Sequence, residues 1–359
     1  MTSTPRSSVY RSAAATAAIL LKDVFNVRVG KATLNPLDPD DFDVIVSRLA
    51  SALRTAVGGY ERTALRSALA EMDIDWANTT EADHRAVFQA VAQAVESPRY
   101  VVLPRVDRAF RIRGDVISGR TRRNVLATMD ASVQASFSLR DARVAEWLRT
   151  SQSAFVTDEY GRRAARASEL ARQIVADGLD EGLGSRVIAA DLRERVGDML
   201  TGRSRSYWDV VASAFAGRAR SFGTLSALND AGIEIWEFIA MMDEVTCDTC
   251  RFFNGMRFSV GGSYERFVTT SQLTEPDDIR DAMPWVRHGR DHEGNRTLYI
   301  QRSNGMRETI ATVMRSGVGS WDDSGEYRDG ASTQRLEALG CNMPPLHGRC
   351  RCMMLSSLE

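Results

Sequence analysis

Residues 344–352 read Pro-Pro-Leu-His-Gly-Arg-Cys-Arg-Cys, and residues 247–250 read Cys-Asp-Thr-Cys. Together the two segments contain four of the five cysteines and the imidazole of His347. A Cys-x-x-Cys pair lets two thiolates reach one ion from a tight turn, and the second segment offers an imidazole and two more thiolates. Zinc prefers such ligands, and four protein ligands close a structural site. The sequence therefore predicts a structural zinc site that fixes the C-terminal part of the fold.

More candidate ligands are present than one tetrahedral ion needs. The five candidates are Cys247, Cys250, His347, Cys350 and Cys352. We favour the first four, with Cys352 either replacing one of them or lying behind them, and we expect Cys341 to be a buried apolar residue. Two other interpretations stay open: reduced cysteines without a metal, and a disulfide or redox pair, for which no βαβ unit surrounds the Cys-x-x-Cys segment.

Length and composition set limits on the class of protein. A chain of 359 residues suggests two or three domains and is long enough to bury a substantial core. Hydrophobic residues make up 43% and charged residues 26%, which excludes collagen-like, wholly disordered and disulfide-scaffold proteins. The net charge of −1 gives no general indication of nucleic-acid or membrane binding. We therefore expect a soluble protein without a membrane partner.

The first two thirds of the chain are predicted to be helical. Residues 1–37 form an N-terminal arm, whose apolar run Ala13–Leu21 is shorter than the roughly 20 residues that span a bilayer. A helical region follows over 38–184. Its predicted helix starts are Asp38 with Pro39, Thr80 with Asp83, and Ser138 with Asp141. The predicted core stripes are Val125, Met129, Val133 and Phe137; Ile188, Leu192, Val196 and Met199; and Val211, Phe215, Phe222 and Leu225.

The composition and hydrophobic pattern of the sequence change after Gly232. Residues 233–242 are rich in Ile, Trp and Phe and predict a strand. Residues 261–330 contain Gly, Ser, Asp and Asn clusters with one helix candidate at Arg307–Arg315, which indicates a long excursion. The predicted fold class is α+β, mainly α: a helical N-terminal region followed by a small, zinc-clamped, loop-rich α+β C-terminal domain.

One stretch of the helical region is strongly basic. It carries seven arginines against two aspartates, at Arg105, Arg108, Arg111, Arg113, Arg120, Arg122 and Arg123. The simplest interpretation is a solvated or partner-facing surface. The second interpretation is contact with DNA, because guanidinium groups match phosphate oxygens. However, no aromatic residues alternate with these arginines, as binding of a single strand requires.

No established catalytic motif is found in the sequence. The His-Glu-x-x-His spacing of zinc hydrolases is absent, as are a phosphate-binding loop and Gly-x-Ser-x-Gly. The remaining enzymatic hypothesis places polar residues of the 261–330 segment in a site, namely His288, Asp291, His292 and Glu293. A polar loop is the simpler interpretation, so we predict that the protein is not an enzyme and has no catalytic residues.

The cysteine-containing segments resemble a known family. Residues 236–255 and the ending Pro-Pro-x-His-x-x-Cys-Arg-Cys are similar to the Mu F-like phage head morphogenesis family, and the resemblance covers about residues 185–355. It marks the five candidate ligands as the defining cluster and Pro344, Pro345 and Arg351 as its framework. The segment 261–330 is longer than the family pattern and is interpreted as an insertion in a head morphogenesis domain over 185–359.

The resemblance implies a minor head protein of a tailed bacteriophage. The implied function is head morphogenesis with the portal and procapsid, with contact to packaged DNA as a further expectation. The implied partners are the portal protein and a major capsid or scaffold protein. The implied locations are the head interior or portal vertex of the virion, and the host cytoplasm during assembly. The alternative function is a zinc-stabilised nucleic-acid-binding or processing protein.

Overall fold

The computed structural model describes residues 34–71, 80–96, 99–129, 137–181, 183–201 and 205–357. The predicted N-terminal arm lies outside these residues up to position 33, and so does Val133. The fold class is confirmed as α+β and mainly α, with long helices in the first two thirds and two antiparallel sheets in the last third. None of the helices in the described ranges is long and apolar enough to cross a bilayer.

Within the described ranges, seven α-helices precede the first strand. They are α1 (Pro39–Glu71), α2 (Glu81–Glu96), α3 (Arg99–Thr128), α4 (Leu139–Asp180), α5 (Ser185–Asp191), α6 (Gly197–Thr201) and α7 (Arg205–Asp230), with a π-helical turn at Leu192–Val196. The predicted helix starts are confirmed. Asp38 Oδ1 accepts hydrogen bonds from the backbone amides of Asp40 and Asp41 at 3.0 Å, ahead of α1. Reciprocal capping hydrogen bonds join Thr80 with Asp83 and Ser138 with Asp141.

One predicted core stripe is not a single helix. Helix α3 ends at Thr128, so Met129 lies just beyond it, and Phe137 precedes α4. Periodicity alone does not show where a helix stops, and the Ser138–Asp141 capping box starts a new one here. The other two stripes are confirmed: Ile188, Leu192 and Val196 are buried, as are the four residues of the α7 stripe.

The chain forms two compact units, each made of separate stretches. Unit 1 contains residues up to 46 together with 115–145 and 213–359, and unit 2 contains 47–114 and 146–212. These units differ from the linear division predicted at 184/185, because α1, α3, α4 and α7 each supply residues to both. The core of unit 2 is aliphatic. It includes Val91, Val95, Ala171, Ile174, Val175, Leu192 and Val196.

Unit 1 contains both sheets. Its remaining elements are β1 (Ile235–Ile239), α8 (Asp248–Phe253), β2 (Arg257–Ser259), α9 (Val260–Thr270), α10 (Pro276–Ala282), β3 (Val286–Arg290), β4 (Arg296–Gln301), β5 (Arg307–Arg315), β6 (Glu326–Arg328), α11 (Thr333–Leu339) and β7 (Met353–Ser356). The first sheet has the order β2-β1-β7 and is antiparallel throughout. Its central strand confirms the predicted strand, and Trp236 and Phe238 are its fully buried residues.

The segment 261–330 differs from the loop excursion that the sequence predicts. It contains most of α9, all of α10 and an antiparallel sheet of order β3-β4-β5-β6. The helix predicted at Arg307–Arg315 is wrong, because these residues form β5, which pairs with β4 and β6. Four of the five residues 309–313 are β-branched, and such residues pack well on a pleated sheet. The polar clusters occupy the turns between these strands.

A close approach of α3 and α7 inside unit 1 requires a glycine. A Cβ atom at Gly223 would lie 2.4 Å from the backbone oxygen of Ser118. We expect Gly223→Ala to lower the free energy of unfolding by about 2 kcal/mol, because the helices must move apart. Gly261→Ala is the matched control, since no atom lies within 4 Å of its Cβ position, and alanine there should be neutral or stabilising by up to about 1 kcal/mol. Urea denaturation measures both, and equal effects would contradict the expectation.

Candidate metal centre

The Cys-x-x-Cys segment lies at the start of a short helix. Cys247 is the residue before α8, with extended backbone angles, and Cys250 lies in the first turn of that helix. This arrangement directs both sulfurs to His347, whose Nε2 atom is 3.2 Å from Cys247 Sγ and 3.0 Å from Cys250 Sγ. Cys250 is buried, whereas Cys247 is partly exposed. The first predicted segment therefore contacts the second as expected.

The donor atoms form two overlapping groups. One group is Cys247, Cys250 and His347, and the other is Cys250, Cys350 and Cys352; within each group all ligand atoms lie within 4.8 Å of one another. Each group could hold a metal ion, and Cys250 belongs to both. The structure thus brings all five predicted ligands together. Cys341 belongs to neither group and is buried, as predicted, and burial raises the pKa of its thiol to about 12.

The ring of His347 is oriented for binding through one nitrogen. Its Nδ1 atom lies 2.7 Å from the carbonyl oxygen of Gly348. A carbonyl oxygen can only accept, so Nδ1 donates this hydrogen bond, which leaves Nε2 directed to the sulfurs of Cys247 and Cys250. Histidine ligands of metals usually have such a backbone or carboxylate partner on the second nitrogen. The imidazole is therefore held with its ligating atom facing the cysteines.

The sulfurs stabilise one another's charge states in the absence of a metal. A hydrogen bond with Cys250, followed by those with His288 and His347, lowers the pKa of Cys247 to about 2 against the effect of burial. Hydrogen bonds with Cys250 and Cys352 likewise hold the pKa of Cys350 well below its usual value. Burial lowers the pKa of His347, but hydrogen bonds with Cys247 and Cys350 raise it to about 11 overall. Hydrogen bonds with Cys247 and Cys350 raise the pKa of Cys250, and burial raises the pKa of Cys352, in both cases well above the usual value of a thiol. The contacts within the cluster therefore favour a thiolate at Cys247 and Cys350 and a neutral thiol at Cys250 and Cys352.

The two residues between Cys247 and Cys250 connect the centre to the second sheet. Asp248 is 1% exposed, and its carboxylate accepts hydrogen bonds from Arg296 Nη2 and Ser316 Oγ, both at 2.7 Å. Its carbonyl oxygen accepts a hydrogen bond from Tyr327 Oη at 2.9 Å. Because the three donors come from residues 296–327, the supposed excursion packs directly against the cysteine turn. Sequence reasoning missed Asp248, and a carboxylate between two candidate ligands was the available signal.

Arg251 holds the loops that flank the centre. Its guanidinium group is buried and donates to the backbone oxygens of Thr246 at 2.8 Å and Asp243 at 2.7 Å. It also donates to the backbone oxygens of Ser320 at 2.7 Å and Asp323 at 2.5 Å. One side chain therefore joins residues 243–246 to the loop 320–323. Sequence reasoning did not single it out, because an arginine after a cysteine carries no pattern.

Helix α7 fixes the segment 344–352 from the other side. Ser221 Oγ donates to the carbonyl oxygen of Pro344 at 2.7 Å, and the peptide bond between Pro344 and Pro345 is cis. A Cβ atom at Gly217 would lie 3.2 Å from Pro345 Cγ, so the helix packs closely on this proline. Arg351 forms an ion pair with Asp243. The three residues predicted as the framework of the cluster thus contact α7 or the loop before α8.

We expect Arg220→Met to weaken this attachment. Arg220 is 3% exposed and donates to the carbonyl oxygens of Arg351 at 3.0 Å and Cys352 at 2.8 Å. Burial lowers its pKa to about 10, so it remains charged at neutral pH. The variant leaves both carbonyls without this donor and should lose about 3 kcal/mol of unfolding free energy in urea denaturation. Arg257→Met, on an exposed ion pair, should lose less than about 1 kcal/mol. Similar losses for the two variants would contradict the role of Arg220.

The predicted basic stretch is not exposed at every arginine. Arg122 is 1% exposed and pairs with Asp230 at 2.6 Å, so it belongs to the core of unit 1 and is not available to DNA or a partner. Arg120 donates to the carbonyl oxygen of Leu34 at 3.3 Å, and Arg123 is exposed. The other four, Arg105, Arg108, Arg111 and Arg113, lie in unit 2. The seven arginines therefore belong to different parts of the fold.

The four residues of the enzymatic hypothesis are divided between a turn and the rim of the metal centre. Asp291 accepts hydrogen bonds from the amides of Glu293 at 3.0 Å and Asn295 at 2.9 Å, which forms the turn between β3 and β4. His292 and Glu293 are exposed at the same turn. His288 instead lies 3.0 Å from Thr249 Oγ1, at the rim of the metal centre.

Comparisons with protein-family models, curated proteins and solved structures find no match to this chain.

Proposed function

We propose that this chain is a non-catalytic structural protein of a tailed bacteriophage head, with a structural zinc ion in unit 1. The observation that carries the proposal is the meeting of two segments, 100 residues apart, around one cluster of sulfurs and an imidazole. These are the same two segments on which the resemblance to the Mu F-like head morphogenesis family rests. The resemblance supports a function in head assembly, and the cluster of sulfurs and an imidazole supports a structural metal site.

Zinc fits the donor set for chemical reasons. The cluster has four thiols and one imidazole, and no carboxylate oxygen belongs to either of its donor groups within the described residues. Such soft donors select zinc over magnesium or calcium. Cys247, Cys250, His347 and Cys350 would hold the ion, because Cys350 hydrogen-bonds with both Cys250 and His347. Cys352 contacts Cys250 and Cys350 and forms the second donor group with them.

The donor count supports a structural role for the ion. A catalytic zinc keeps one position open for water or substrate, whereas a structural zinc is closed by four protein ligands. Five protein donors surround this centre, which is more than enough to fill a tetrahedron. The ion would therefore join the α8 turn to the segment 344–352, and through Asp248 it would stabilise the contact with the second sheet.

The proposed partners are those of a minor head protein. They are the portal protein and a major capsid or scaffold protein, and the proposed locations are the head interior or portal vertex and, during assembly, the host cytoplasm. The alternative is a zinc-stabilised nucleic-acid-binding or processing protein that acts outside the particle. The two functions differ in where the chain is found.

Quantitative mass spectrometry of the source phage tests the proposal. Mature particles and procapsids are purified, and the abundance of this chain is measured against the portal and major capsid proteins. We expect a low, reproducible copy number comparable with or below that of the portal. A non-structural phage protein from the same lysate serves as the control for contamination. Absence of the chain from both kinds of particle would refute the head function and favour the alternative.

A further inference from the structure

A groove in unit 2 combines residues of α1 and α3. It has a volume of about 520 Å³ and is open to solvent. Its lining residues are Arg48, Ser51, Ala52, Thr55, Ala56, Arg105 and Arg113. The α1 residues recur at three- and four-residue spacing, so they form one face of that helix. The two alanines leave room between the helices, while the arginines and hydroxyls supply hydrogen-bond donors.

The three guanidinium groups of the groove have no carboxylate partner among the described residues. None of its lining residues in the described ranges is acidic, and no ion pair of Arg48, Arg105 or Arg113 is present there. In the same unit Arg149, by contrast, forms ion pairs with Asp107 and Glu146. Three cations that share one groove repel one another unless an anion lies between them. The groove is thus a concentration of positive charge in a chain whose net charge is −1.

One of these arginines is held in place by an aromatic ring. The guanidinium carbon of Arg105 lies 5.0 Å from the ring centroid of Tyr60, which is a cation–π contact. Such a contact orients the planar group and limits its conformational freedom without neutralising its charge. The donors of Arg105 therefore remain available for a ligand.

We propose that this groove binds phosphoryl groups. Arginine offers a planar fork of donors that matches two phosphate oxygens, and the hydroxyls of Ser51 and Thr55 can donate to the others. A tetrahedral phosphoryl group directs oxygens towards both helices at once, whereas a carboxylate presents two oxygens in one plane. A nucleic-acid backbone and a free phosphorylated small molecule share this chemistry. The site is separate from the metal centre and does not depend on the head function.

The test compares two triple variants of the full-length protein. The groove variant carries Arg48→Gln, Arg105→Gln and Arg113→Gln. The control carries Arg66→Gln, Arg186→Gln and Arg193→Gln, which removes the same charge from exposed positions of unit 2 outside the groove. Fluorescence anisotropy measures binding to a short DNA duplex over a range of salt concentrations, with inorganic pyrophosphate and polyglutamate as competitors. Circular dichroism checks that both variants stay folded.

We expect the groove variant to bind DNA at least about tenfold more weakly than the unmodified chain, and the control less than about threefold more weakly. The slope of log affinity against log salt should fall by about 2 to 3 in the groove variant, because each lost phosphate contact removes about 0.9. Weak competition by pyrophosphate would assign the site to a nucleic-acid backbone. Strong competition that the groove variant loses would assign it to a free phosphorylated molecule.

Three results would overturn the proposal. Equal losses in the two variants would mean that general electrostatic attraction, and not the groove, binds the anion. Competition by polyglutamate as strong as that by pyrophosphate would indicate a site for acidic protein segments. Absence of binding to both DNA and pyrophosphate at low salt would show that the groove has no phosphoryl ligand. None of these results depends on whether the chain is found in phage particles.

Discussion

Cys250→Ser is expected to lose the bound metal and to destabilise unit 1 by about 4 kcal/mol or more, which is the range for loss of a structural metal. Cys250 is the one residue that belongs to both donor groups, and its sulfur lies 3.0 Å from His347 Nε2. A serine hydroxyl is a poor ligand for a soft site, so neither group can be completed. Metal content by mass spectrometry and urea denaturation, with limited proteolysis of residues 233–357, measure the effect.

Two cysteine variants serve as controls for this prediction. Cys341→Ala removes a buried thiol that lies outside both donor groups, so it should keep the metal and cost only about 1 to 2 kcal/mol in packing. Cys352→Ser should also keep the metal, because the favoured ligand set does not use it. A Cys250→Ser protein that retains a full equivalent of zinc would refute the clamp. Loss of zinc in Cys352→Ser but not in a Cys350→Ser variant would mean that Cys352, and not Cys350, is the fourth ligand.

Arg251→Met is expected to lower the free energy of unfolding by about 4 kcal/mol, since buried carbonyls without donors cost about 1 to 3 kcal/mol each. The side chain is 2% exposed and serves four backbone oxygens, so methionine fills its volume but replaces none of its hydrogen bonds. The loop 320–323 should then separate from residues 243–246. Urea denaturation measures the loss, and hydrogen exchange should become faster at the amide of Gly319, which donates to Glu244.

Arg287→Met is the matched control for this substitution. Arg287 is exposed on β3 and makes one side-chain hydrogen bond, with Gln301 at 3.1 Å. Its replacement should change stability by less than about 0.5 kcal/mol and leave the exchange of Gly319 unaltered. If the Gly319 amide exchanged no faster in Arg251→Met than in Arg287→Met, the four hydrogen bonds of Arg251 to backbone carbonyls would not be what holds the loop 320–323.

Local signals in the sequence predicted local structure well. The starts of α1, α2 and α4 follow from side chains that cap amides two or three residues away, as with Asp38, Thr80 and Ser138. The five donors of the metal centre were also predictable, because spacing within each segment restricts which residues reach one ion. The caps, and the ligand spacing inside each segment, depend on residues a few positions apart, whereas the contact between the two ligand segments joins residues 100 positions apart.

Non-local pairing explains what the sequence did not predict. Residues 307–315 form a strand that pairs with β4 on one edge and β6 on the other, and neither partner is visible in a local pattern. The hydrogen bonds of Asp248, in the Cys-x-x-Cys turn, were not predicted for the same reason. Their donors, Arg296 and Ser316, lie 48 and 68 residues away in the sequence. The burial of Arg122 likewise depends on Asp230, which lies 108 residues further along the chain.

The order of the candidate ligands along the chain sets a delay between the synthesis of the first two and the synthesis of the others. His347 follows Cys247 by 100 residues, so at roughly 5 to 20 residues per second the first two thiols emerge about 5 to 20 s before their partners. The central strand β1 is likewise synthesised before β7, with which it pairs over Trp236–Ile239. During that interval Cys247 and Cys250 lack the His347 contact that both sulfurs make in the folded chain. For the proposed zinc site, the rate of translation therefore sets how long the first two ligands are present without the others.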